Sequence, residues 1–161
     1  MILDHEHKHN RFLSDQIDKL ATRDQTKTSI RLQKAYARIW QPKRNGDDMF
    51  EEIRKELTEV ICAALKQSDI EVDDYLWGLS YDNGDGAGFH HHHGSLYSAI
   101  YYLKADEGCG SLLFKNPFVE IEPEDNMLVI FDADLNHAVS PNVVKDAKRI
   151  CIAMNIKPRL T

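Results

Sequence analysis

Residues Trp77 to Leu103 read WGLSYDNGDGAGFHHHHGSLYSAIYYL, with four consecutive histidines, His90 to His93, between a glycine-rich turn and an apolar, aromatic run. The run lies inside the chain, so it is not an affinity tag. Successive side chains of a strand point to opposite faces. His90 and His92 would therefore share one face, and His91 and His93 the other. Either pair of imidazoles is half of a metal site, and the rest of the chain must supply the other half.

The strand reading of this stretch extends downstream. From Tyr75 onward, short apolar runs alternate with turns, at 75–81, 88–93, 96–104, 110–114, 117–121, 127–131, 136–140 and 148–156. Several short strands at such spacing predict a sandwich or barrel. Upstream the pattern is helical. Residues 10–22 place Phe12, Leu13, Ile17, Leu20 and Ala21 on one face, with Asn10 or Ser14 as caps. A second helix follows Asp47 or Asp48 and repeats Phe50, Ile53, Leu57, Val60, Ile61, Ala64 and Leu65 at helical spacing, a face suited to covering a sheet. Residues 28–40 fit either a strand or a helix, with the lean to strand, and Pro42 with the turn at 43–46 ends them. Asp69 to Asp74 reads as an acidic turn. His5, His7 and His9 also alternate, but a polar, mobile terminus is the preferred reading there. Helices first and strands afterwards indicate an α+β fold with the helices packed on one sheet.

Composition narrows the function. At 161 residues the chain is expected to be one domain (1–161), with residues 1–74 as mainly helical support and 75–158 as the β core. No segment approaches a membrane span, and the polar start has no secretory signal. Three scattered cysteines without a CxxC pair suit a reducing, cytoplasmic setting. A net charge of −6 argues against general nucleic-acid binding, which needs a basic face.

A non-haem iron site needs three protein ligands on one face. After the run, His137 in DADLNHAVSPN is the only remaining histidine. Twelve positions on (149 − 137), Arg149 opens the last strand, RICIAMNI. An arginine facing into a barrel needs an anion, since a lone buried guanidinium is costly. A dicarboxylate held by two parallel hydrogen bonds would meet that need.

Trp77, Gly84, His90, His92, Ser98, Tyr101-Tyr102-Leu103, Gly110, Leu112, Phe114, Pro117, Leu128 to Phe131, His137, Val139, Pro141-Asn142, Arg149 and Asn155 follow one another in a fixed order. In that order, the span from Trp77 to Pro158 resembles the Fe(II)/2-oxoglutarate-dependent oxygenase superfamily, closest to a branch with an HxH…H…R pattern. The resemblance implies a double-stranded β-helix, the cupin-like jelly roll. It implies Fe(II) as cofactor and 2-oxoglutarate as co-substrate, whose decarboxylation to succinate is coupled to C–H oxidation, most readily a hydroxylation. It assigns His90, His92 and His137 to the metal, Arg149 and Tyr102 to the far carboxylate of 2-oxoglutarate, and no catalytic residue beyond the metal ligands. It leaves His91 and His93 facing away, with Ser98 and Asn155 as structural hydrogen-bonders. The substrate class stays open between a small molecule and a short peptide, selected by loops at 82–88 and 115–124.

Four positions depart from the pattern: His92 stands where Asp or Glu is commoner, Asn126 where a turn glycine is usual, and Ala99 and Cys151 where glycine and serine are. Three imidazoles also suit Zn or Ni. Two alternatives therefore stand beside the oxygenase: a non-catalytic jelly-roll metal protein with a three-His site, and a three-His cupin dioxygenase that uses no keto acid. Arg149 separates the first of them, because a structural metal site has no use for a dicarboxylate anchor.

Overall fold

The computed structural model describes residues 1–23, 35–41 and 48–160. In chain order the elements are β1 (Ile2–Asp4), α1 (Asn10–Leu20), β2 (Ala35–Tyr36), β3 (Arg38–Trp40), α2 (Asp48–Leu65), β4 (Ile70–Tyr81), β5 (Gly86–His90), β6 (Tyr97–Ala105), β7 (Leu112–Phe114), β8 (Val119–Ile121), β9 (Met127–Asp132), β10 (His137–Val139) and β11 (Arg149–Pro158). They form two antiparallel sheets, one ordered β1-β9-β6-β11-β4-β3 and the other β2-β5-β10-β7-β8. This is the expected α+β double-stranded β-helix.

The six-stranded sheet is buried on both faces, and its alternation sorts the side chains. Ile150, Ile152, Met154 and Ile156 of β11 face the helices, together with Tyr101 and Leu103 of β6 and Leu128 and Ile130 of β9. Leu13 and Ile17 of α1 and Phe50, Ile53, Leu57 and Ile61 of α2 meet them. Those helix positions recur at three- and four-residue steps, so each helix buries one stripe. The opposite face carries Tyr81, Tyr102, Val129, Phe131 and Cys151 toward the five-stranded sheet, where Leu112 and Phe114 close the second core. α1 sits close enough to the sheet to need a glycine beneath it. A Cβ on Gly78 would lie 2.8 Å from Ile17 Cγ1.

Each of the eight predicted strands downstream of residue 74 is present, with shifts at the ends. Within 28–40, residues 35–36 and 38–40 are strands; residues 28–34, the turn at 43–46 and the Asp47 cap lie outside the described residues. Three expectations need correction. The acidic stretch is no turn: β4 starts at Ile70, because Ile70 and Val72 alternate inward while Asp73 turns out to meet Lys157 at 3.0 Å. Neither Asn10 nor Ser14 caps α1. The cap position is His9, without a side-chain hydrogen bond, and Asn10 instead donates through Nδ2 to the Tyr101 hydroxyl at 2.6 Å.

The polar terminus is also tied down. β1 pairs with β9, Ile2 opposite Val129. The Tyr101 hydroxyl donates to the His5 carbonyl at 2.7 Å and accepts from the His7 amide at 3.2 Å. His5 Nε2 lies 2.7 Å from Glu56 of α2. His7 is buried, its Nε2 3.1 Å from the other Glu56 oxygen but poorly angled for a hydrogen bond. Charge and hydrogen bonding to partners far along the chain hold this segment, with Leu3 alone packing on the core, which is why its composition looked mobile.

The Gly78–Ile17 contact makes a measurable prediction. Gly78→Ala costs about 1–3 kcal/mol through overpacking. Ile17→Ala alone costs about 2–5 kcal/mol through a cavity. The double variant loses less than the sum of the two in urea unfolding, because each change relieves the other.

Candidate metal centre

β5 and β10 are antiparallel neighbours with His90 directly opposite His137, which sets their rings 4.3 Å apart between centroids. The strand ends at His90, so alternation does not place His92. A loop does, its backbone N–H donating to the Ala133 carbonyl at 2.8 Å. The ring still swings back to the same side, 5.1 Å from both His90 and His137. One nitrogen from each of the three histidines falls within 4.8 Å of the other two, a spacing that can hold a single ion. His91 and His93 point outward, exposed, their rings 3.9 Å apart, with His93 Nδ1 2.9 Å from Asp134.

The tautomers are set by the backbone. His90 Nδ1 lies 2.7 Å from the Gly88 carbonyl and His137 Nδ1 2.8 Å from the Leu135 carbonyl. A carbonyl only accepts, so Nδ1 carries the proton and Nε2 keeps its lone pair for a metal. Burial holds all three rings neutral. It lowers His137 to about 3 and His92 to about 4, and His90 also falls below its ordinary value. Three neutral, preoriented imidazoles are what a divalent metal requires.

Beside them lies a cavity of about 70 Å³ whose other walls include Trp77, Leu79, Ile100, Phe131 and Val139. Ser98 and Asn155 add polar groups to that wall, and the Ser98 hydroxyl donates to Asn155 Oδ1 at 3.1 Å.

Arg149 is 1% exposed. Both of its terminal nitrogens are 3.3 Å from the Ser140 carbonyl, and Nε has no partner. Among the described residues no carboxylate pairs with it. Its guanidinium lies 4.1 Å from the centroid of the Tyr81 ring. Gly110 makes room for it: at φ +88°, a Cβ there would meet Arg149 Nη1 at 2.9 Å and the Ser140 carbonyl at 2.3 Å. Tyr102 and Cys151 are buried nearby, burial pushing the phenol well above its ordinary value and the thiol up to about 12.

Sequence reasoning missed Tyr81, the residue that both lines the histidine cavity and packs on Arg149. Its signal was the inward alternation Trp77, Leu79, Tyr81, which was read only as strand filler. Neither Arg149 nor Tyr102 lines the histidine cavity itself. Of residues 82–88, expected to be a loop at the barrel mouth, Gly86 to Gly88 belong to β5, and the remaining turn is pinned. Asp85 is buried and accepts from Arg23 Nη1 and Nη2 at 3.0 and 2.8 Å, and from the Asp82 amide at 2.8 Å.

Residues 76–157, about half of the chain, match the model of the 2OG-Fe(II) oxygenase superfamily. The fold is similar to the viral collagen prolyl hydroxylase of Paramecium bursaria Chlorella virus-1 (TM-score 0.69, 17% identity, covering 97% of this chain and 94% of that one). It is also similar to a prolyl-4-hydroxylase of Pseudomonas putida (0.71, 16%, 99% and 92%). A third similar structure is HygX of Streptomyces hygroscopicus, determined with nickel and 2-oxoglutarate bound (0.71, 10%, 98% and 82%). No curated protein matches the sequence. The chain belongs to the 2OG-Fe(II) oxygenase superfamily. It is thus an enzyme of the class that works with Fe(II) and 2-oxoglutarate, and neither alternative, the non-catalytic metal protein nor the dioxygenase without keto acid, is needed.

The depressed imidazoles predict a pH dependence for the metal-free protein. Their folded pKa values lie below the unfolded value of about 6.5, so between there and roughly pH 3 the unfolded chain binds more protons. Stability is full above pH 6.5 and falls as pH drops through that window. For His137 the loss between pH 7 and pH 5 is roughly 2 kcal/mol. His137→Gln therefore flattens the slope of urea stability against pH over that range, and an unchanged slope would show that His137 is not held neutral.

Proposed function

We propose that His90, His92 and His137 bind the iron through Nε2, that Arg149 pairs with the distal carboxylate of 2-oxoglutarate, and that Tyr102 lends a hydroxyl hydrogen bond to the same carboxylate. The enzyme is then a hydroxylase of a small molecule or a short peptide residue. The observation that carries this reading is the buried guanidinium without a carboxylate. An unpaired buried charge costs several kcal/mol, and a dicarboxylate co-substrate would satisfy it with a bidentate pair. Iron, when bound, supplies the oxygen activation that couples decarboxylation of 2-oxoglutarate to oxidation of a C–H bond. The protein's part is to hold three neutral ligands, to anchor the co-substrate through Arg149 and to keep water out with Leu79, Ile100 and Phe131.

Because Tyr81 touches both the cavity and Arg149, we place the co-substrate's path along its ring. We also read helices and β core as one oxygenase domain, since α1 and α2 share the core of the six-stranded sheet. A reducing, cytoplasmic setting fits the free thiols Cys62, Cys109 and Cys151. Among the described residues no helix is long and apolar enough to cross a membrane.

The test uses ferrous protein without oxygen. Adding 2-oxoglutarate should produce a visible charge-transfer band, and air should then yield succinate. Arg149→Leu should weaken 2-oxoglutarate binding by roughly 30-fold or more. The same change should leave the metal-free protein as stable as before or more so, because it removes an unpaired buried charge. A variant that binds 2-oxoglutarate normally but unfolds more easily would make Arg149 a structural residue and sink the reading.

A further inference from the structure

The histidine run has a second face that the candidate metal centre leaves unused. His91 and His93 are exposed, with their rings 3.9 Å apart between centroids. That is slightly closer than the 4.3–5.1 Å of the inner triad. Because neither ring is packed, a small turn about its side-chain bonds opens room for an ion between the two.

Asp134, itself exposed, prepares one of these rings. Its Oδ1 lies 2.9 Å from His93 Nδ1. A carboxylate only accepts, so Nδ1 carries the proton and Nε2 keeps its lone pair for a ligand on the solvent side. A carboxylate behind an imidazole in this way fixes the ring's orientation and raises its basicity toward a metal. Neither ring nitrogen of His91 has a hydrogen-bond partner among the described residues, so His91 can present either one.

The other alternating histidines, near the start of the chain, do not meet this requirement. His7 Nδ1 accepts from the His9 amide at 3.1 Å. The His7 proton therefore sits on Nε2, and no lone pair is left for a metal. His5 Nε2 is already engaged with Glu56 at 2.7 Å.

The donors decide which cation fits. Imidazoles suit zinc, nickel and copper, whereas calcium and magnesium take oxygen. Among the described residues only His90, His92 and His137 bring three donor atoms within 4.8 Å of one another. The outer pair therefore offers two nitrogens, and water fills the remaining positions. Fewer protein ligands and full exposure make it the weaker of the two sites.

We propose that His91 and His93, with Asp134 orienting His93, form a second, solvent-facing site for zinc, nickel or copper, back to back with the inner triad. The proposal stands whatever the triad binds, because the two sets of histidines share no ligand.

Equilibrium dialysis of the metal-free full-length protein against zinc tests it. The wild type should take up two equivalents, one tight and one weaker. His91→Gln and His93→Gln change exposed side chains, so folding is not at stake, and each should abolish the weaker equivalent while keeping the tight one. Asp134→Asn should weaken the weaker equivalent roughly tenfold. His5→Gln should change neither, and calcium should not displace the zinc. A single equivalent in the wild type would overturn the proposal. So would a weaker equivalent that survives the double change at His91 and His93, that is unmoved by Asp134→Asn, or that calcium displaces. Failure of the inner triad as a metal site reads differently: His137→Gln would then keep the tight equivalent, while the weaker one still responded to His91 and His93.

Discussion

The register of β11 is the constraint on which the rest depends. The strand lies between β4 and β6, and its alternation commits Ile150, Ile152, Met154 and Ile156 to the helices while Arg149, Cys151, Ala153 and Asn155 look into the jelly roll. A slip of one residue would exchange the two sets, burying a guanidinium among isoleucines. Each apolar side chain of the first set is worth about 1.5–3 kcal/mol when fully buried, so the packing that stabilises the fold also aims the polar set. The helices thereby act on the site without touching it.

The site is unusual in where it places charge. The chain carries a net charge of −6, yet among the described residues no carboxylate lines its cavity. Glu120, Glu122, Glu124 and Asp125 gather instead around a separate cleft of about 570 Å³ with Asp106 and Glu107. The interior is thus a neutral triad of imidazoles and an unpaired cation, both suited to an incoming anion. With histidine at position 92 where an acid is commoner, none of the three candidate metal ligands brings negative charge to the centre.

How much was legible depended on the range of the interaction. The histidine pair, His137 and Arg149 follow one another in the order of a known family pattern, so the resemblance could propose them. His92 was assigned to the right side for an incomplete reason: strand alternation stops at His90, and a hydrogen bond to Ala133, distant in sequence, does the positioning. Alternation marked Tyr81 as facing inward but not as a site residue, because its role depends on the pairing of β4 with β11, Tyr81 opposite Arg149. The irregularity between Ile150 and Cys151 in the pairing of β11 with β6, which skips Leu103, leaves no mark on composition. The N-terminal segment was misread because His5, His7 and Asn10 are held by Glu56 and Tyr101, partners far along the chain.

The pairing of β1 with β9 has a bearing on behaviour in solution. β1 is three residues long and forms the outer rim of the six-stranded sheet, and it covers the backbone donors and acceptors of β9 that would otherwise face outward. A sheet rim left bare in this way is a template for strands of neighbouring molecules. Losing the first few residues, whether by proteolysis or by a fusion that strains the segment, would turn a paired rim into a sticky one, and the damage would show as self-association before it showed in the metal centre.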